Sequence, residues 1–136
     1  MRKKRTALAF TALIALFAAG CSQTEENNQE HASHKAPEVL QVEIGLETST
    51  AKVNENMIFE AKVTQGGEPV EDAKEVEFEF GREGDEDTEI IQVEDQENGI
   101  YRLEKSFSEA GIYTITTHVT ARDMHSMPSE EFEITP

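Results

Sequence analysis

The segment His118-Val119-Thr120-Ala121-Arg122-Asp123-Met124-His125-Ser126-Met127-Pro128 concentrates the chain's metal-ligating side chains. Two of the four His and two of the four Met fall between His118 and Met127, and a third Met is the initiator. Thioether sulfur together with imidazole suits copper, above all Cu(I). Zinc prefers thiolate with imidazole, and calcium prefers hard oxygen. His118, Met124, His125 and Met127 are therefore the candidate metal ligands, with Met57 or a histidine further upstream in reserve. Their spacing lets one loop gather three of them, and Pro128 stiffens the exit after Met127. The competing structural role is that Met124 and Met127 close the end of a core while the imidazoles stand in solvent.

Other chemistry has little to work with. No Ser, His and Asp order sits on a nucleophile elbow, and no glycine loop of the phosphate-binding kind occurs. The acidic run Glu83 to Glu89 lacks the Asp-x-Asp-x-Asp-Gly order of a calcium loop, so it reads as a solvated turn. Carboxylates are so abundant that an acid–base pair cannot be singled out without geometry. The expectation is a binding protein, not an enzyme.

Charge narrows the partners. The formal charge is −16, and removing Arg2, Lys3, Lys4 and Arg5 with an export signal takes it to −20, with 8 Lys and Arg left against 28 Asp and Glu. Such a surface repels nucleic acid and attracts cations and basic proteins. DNA and RNA are excluded as ligands.

The positive run Arg2 to Arg5, the apolar stretch Ala7 to Ala19 and the small residues before Cys21 read as a signal segment over 1–21. Ala18-Ala19-Gly20-Cys21 looks like the lipobox of bacterial lipoproteins, with Ala18 where Leu is usual. Cys21 would then carry two acyl chains, enough for stable anchoring where one is marginal. The implied location is the extracytoplasmic face of the cell membrane. As the chain's one cysteine, Cys21 has no internal disulfide partner. Residues 22–38 are polar without apolar period and read as a flexible tether, in which His31 and His34 stand as solvated residues or spare ligands.

From Val39 the period becomes two. Val42, Ile44 and Leu46 alternate with polar residues, as do Met57, Phe59, Ala61 and Val63, then Val76, Phe78 and Phe80. Thr88 to Val93 is short and β-rich. Tyr101, Leu103, Lys105 and Phe107 share a register, Tyr113, Ile115, Thr117 and Val119 share a face, and Phe132 and Ile134 supply a last edge strand. Gln65-Gly66-Gly67-Glu68, Gly81 to Asp85 and above all Asn98-Gly99 mark turns. About seven short strands with no helical period predict an all-β, immunoglobulin-like β-sandwich over 39–136. Gly111-x-Tyr113 resembles the tyrosine corner of such domains. The alternation turns His118 away from the core, with the loop Arg122 to Pro128 leaving from the sandwich end.

Gly99-Ile-Tyr101, Phe107, Gly111-x-Tyr113, His118-Val119-Thr120-Ala121-Arg122 and Met124-His125-Ser126-Met127-Pro128, together with Ala61 to Ala73, resemble the YtkA-like domain of small exported proteins, a relative of FixH. The resemblance implies the sandwich fold and, because FixH proteins are implicated in assembling copper-containing respiratory oxidases, a copper ligand and a membrane-protein partner. Family members often carry a histidine in the segment that is Glu83 to Glu89 here, where this chain has none. His125-x-Met127 is also similar to the His-x-Met element of periplasmic copper chaperones. The alternative expectation is a metal-independent module that docks a membrane or respiratory-complex protein.

Overall fold

Residues 36–136 are described by the computed structural model. The expected signal segment with Cys21 and the tether through Lys35, His31 and His34 included, lie outside the described residues.

The period-two runs form strands β1 (Leu40–Leu46), β2 (Thr50–Lys52), β3 (Met57–Gln65), β4 (Glu68–Pro69), β5 (Glu75–Arg82), β6 (Thr88–Gln92), β7 (Gln96–Glu97), β8 (Ile100–Lys105), β9 (Gly111–Ala121), β10 (Met124–Ser126) and β11 (Ser129–Thr135). The seven that reach five residues, β1, β3, β5, β6, β8, β9 and β11, are the seven expected. They make two sheets. One runs β1-β3-β8-β7 with β4 beside β3, and the other runs β2-β11-β9-β5-β6 with β10 beside β9.

The sheets meet through their apolar faces. Phe59 of β3 lies 4.9 Å from the ring of Phe80 on β5 and 5.2 Å from Phe132 on β11, so one aromatic joins both layers. Phe107 and Tyr113 extend the cluster, with ring centres 4.7 Å apart. Edge and tilted contacts of this kind add to the burial of ring area. Lys105 faces the same layer at its rim. Its ammonium sits over the Phe80 and Phe107 rings, 5.6 Å and 5.0 Å from their centroids, and pairs with Glu89 at 2.8 Å.

Turn chemistry sets the registers. Asn98 and Gly99 both take positive φ, 51° and 77°, as the tight β7–β8 hairpin requires. A Cβ on Gly99 would also stand 2.9 Å from the Val63 carbonyl, so the position needs glycine twice over. The Tyr113 hydroxyl donates to the Glu109 carbonyl at 2.9 Å, the tyrosine corner that Gly111-x-Tyr113 predicts. A second tyrosine does similar work without a sequence signal: Tyr101 donates to the Val70 carbonyl and accepts the Ala73 N–H, pinning the loop after β4.

Two expectations change. The last strand is not an edge, because β2 pairs with it in parallel through Glu133 opposite Thr50 and Ile134 opposite Ala51. The segment after Ala121 is not a loop leaving the sandwich end. Arg122 and Asp123 take φ of 51° and 62° and turn the chain back, so that β10 pairs with β9. Arginine is an uncommon residue at positive φ. Here its guanidinium is held by Gln65 Oε1 at 2.8 Å and Asp72 Oδ1 at 3.1 Å.

Phe59→Ala removes the ring that bridges the two sheets and is expected to cost about 3–5 kcal/mol, read as a lowered urea midpoint. Ile90→Ala, at an exposed position, should stay within about 0.5 kcal/mol of the parent protein.

Candidate metal centre

Strand β9 sends Tyr113, Ile115, Thr117, Val119 and Ala121 into the core and leaves Thr114, Thr116, His118 and Thr120 on the outer face of its sheet. Residues opposite one another in a ladder share a face. In β10, Met124 stands opposite Ala121, His125 opposite Thr120 and Ser126 opposite Val119. Met124 therefore turns inward and packs, partly buried, against the core. His125 turns outward.

The same register continues into β11, where Ser129 stands opposite Thr116, so that Met127 falls opposite His118 and Pro128 opposite Thr117. The Thr117 N–H donates to the Pro128 carbonyl at 2.9 Å, and the Thr116 and Ser129 hydroxyls meet at 2.9 Å. Met127 is exposed. Three of the four candidate ligands, His118, His125 and Met127, thus share one outer face, while Met124 serves the core. Met57, held in reserve, is 1 % exposed in the interior and can supply nothing at this face.

The rings of His118 and His125 are 6.1 Å apart between centroids and inclined at 41°. His118 Nε2 lies 2.7 Å from Glu79 Oε2, both side chains being about three-quarters buried. His125 Nδ1 lies 2.9 Å from Thr120 Oγ1. Among the described residues no hydrogen bond engages the other nitrogen of either ring. The Glu79 carboxyl is held below the ordinary glutamate range, first by its bond to His118, then by the Thr88 hydroxyl, against the opposing effect of partial burial.

Glu75, Glu77 and Glu79 stand on β5 opposite Thr120, His118 and Thr116, giving the face an acidic flank. Among the described residues no three side chains of the His, Cys, Asp and Glu types converge to hold an ion. A shared ion at this face would rest on the two imidazoles and the Met127 sulfur. Glu79 and Thr120 escaped sequence reading. They belong to the site through the β5–β9 pairing and the His125 hairpin, and no local pattern announces either contact.

Comparison with known proteins agrees with the architecture. The YtkA-like family matches residues 34–118, more than half of the chain, and its match ends on His118. No curated protein matches the sequence. Among solved structures, a variant superoxide reductase (neelaredoxin) from Ignicoccus hospitalis superposes with a TM-score of 0.52 at 13 % identity, over 76 % of this chain and 86 % of that one. Part of the alkylpurine DNA glycosylase AlkC from Pseudomonas fluorescens, solved bound to DNA containing an abasic site analog, superposes with a TM-score of 0.53 at 11 % identity, over 71 % of this chain. The chain spans only 30 % of that glycosylase. At these identities the likeness is one of fold.

The lowered Glu79 value has a consequence for acid stability. A carboxyl depressed by folding contributes stability that is complete above its unfolded value, near 4.5, and is lost as pH falls through the folded value. Between about pH 5 and about pH 3, the parent protein should therefore lose more of its urea midpoint than Glu79→Gln does. Parallel curves for the two proteins would deny the bond that role.

Proposed function

The chain belongs to the YtkA-like family, and from that premise we propose that it is an exported lipoprotein whose sandwich domain binds copper, above all Cu(I), at His118, His125 and Met127. In this reading Cys21 carries the lipid anchor, and the domain works without catalysis at the extracytoplasmic face of the cell membrane, presenting the ion to a membrane-protein partner.

The observation that carries the reading is the outer-face pair of imidazoles with ring centres 6.1 Å apart. With metal–nitrogen bonds of about 2 Å, two imidazoles on one ion can have centres no further apart than about 6.5 Å. The observed spacing fits that limit near its open end, where the two nitrogens approach the ion from nearly opposite sides. A soft monovalent ion that accepts few ligands suits two imidazoles and a thioether better than zinc or calcium does. Met124 has no part in the set because it packs against the core.

A second reading rests on the acidic flank of Glu75, Glu77 and Glu79. In it the same face docks a basic protein with no metal involved. The two readings part on whether any ion is held at the histidines.

Anaerobic Cu(I) titration of the full chain against a competing chelator tests the first. One equivalent should bind in the parent protein and in Met124→Leu, and binding should be lost when His118, His125 and Met127 are all replaced by Ala. Failure to compete with the chelator would leave the docking reading. Loss of binding in Met124→Leu would overturn the ligand set.

The anchor is tested separately. Cys21→Ser should abolish incorporation of labelled palmitate and release the protein from the membrane fraction. Acylation that persists in this variant would refute the lipobox assignment.

A further inference from the structure

We infer that Glu79 is a positioning residue that presets which nitrogen of His118 is offered to a metal. The inference rests on the copper reading above and adds to it a carboxylate that is not itself a ligand.

A neutral imidazole carries one proton and one lone pair on opposite sides of the ring, and the partner of the first fixes the place of the second. Glu79 Oε2 is 2.7 Å from His118 Nε2. An ionised carboxylate only accepts hydrogen bonds, so Nε2 must carry the proton. The lone pair then sits on Nδ1, the nitrogen that no hydrogen bond engages among the described residues.

His125 is built differently. Its Nδ1 faces Thr120 Oγ1 at 2.9 Å, and a hydroxyl can donate as readily as accept. His125 is therefore free to present its Nε2 lone pair when an ion arrives, by passing its proton to the Thr120 side of the ring. One imidazole is preset and the other adapts. An orienting carboxylate on the far nitrogen of a metal-binding histidine also raises the basicity of the ring, and removing such a partner typically costs about 10–100-fold in metal affinity.

The test uses the full chain labelled with 15N and read by long-range proton–nitrogen correlation of the histidine rings. Cu(I) is added anaerobically, and because it is diamagnetic the rings stay visible. Without metal, His118 should show a protonated Nε2 and a bare Nδ1. On adding Cu(I), the Nδ1 signal should move. Glu79→Ala should give a mixture of His118 tautomers before metal is added and bind Cu(I) about 10–100-fold more weakly. Glu79→Gln, which keeps the side chain's volume and one accepting oxygen, should recover most of both properties and guards against misfolding of the alanine variant.

Cu(I) that shifts Nε2 instead, or a Glu79→Ala protein that folds and keeps both tautomer and affinity, would overturn the positioning role and leave the copper site standing. A parent protein with the stated tautomer and no Cu(I) response at either ring would overturn both.

Discussion

The constraint on which the rest depends is the alternation of β9. Eleven residues long, it is paired with β5 on one side and with β10 and β11 on the other. Each residue is committed to one side of the sheet, because successive side chains of a strand point oppositely. Burying Tyr113, Ile115, Val119 and Ala121 leaves His118 and Thr120 no place except the outer face. The core thereby positions the candidate metal centre without touching it. Any change that slips β9 by one residue would exchange the two sets.

Much of this was legible in the sequence because burial imposes a period. The runs around Phe59, Phe78, Tyr101 and Ile115 announced strands, the Asn98-Gly99 pair announced a hairpin, and Gly111-x-Tyr113 announced its corner. What escaped was pairing at a distance. Neither the parallel attachment of β2 to β11 nor the approach of Glu79 to His118 leaves a mark within a short window, since each depends on which strands become neighbours. The Arg122-Asp123 turn escaped for a different reason. Its positive φ values fall on an arginine and an aspartate, not on a glycine or asparagine that would have advertised the bend, and the contacts of the Arg122 guanidinium are with Gln65 and Asp72, residues far off in sequence. Met124 and Met127 show the same limit at finer grain. Composition puts both beside His125, but only the ladder separates the one that packs from the one that faces out.

The domain holds together without a disulfide and under a large excess of negative charge. Its answer is a shared aromatic layer: Phe59, Phe80, Phe107, Tyr113 and Phe132 make a chain of ring contacts that crosses from one sheet to the other. Lys105 closes the rim of that layer with its ammonium, which lies over the rings and pairs with Glu89, so that a cation stands between the aromatic edge and the acidic surface around it. Among the described residues, Thr117 is the one polar side chain buried beside the apolar core.

The unbroken register on either side of Pro128 gives the histidine and methionine segment a grammar of its own. What matters there is parity. His125 and Met127 are two apart and both odd-numbered, His118 is even, and the turn at Arg122-Asp123 converts one parity into the other. Among sequences that share this hairpin, gaining two residues directly after the turn keeps imidazole and thioether on one face, whereas gaining one sends them inward and brings Met124 and Ser126 out. A search for related sites should therefore compare the spacing of these residues modulo two, counted from the turn, before it compares their identities.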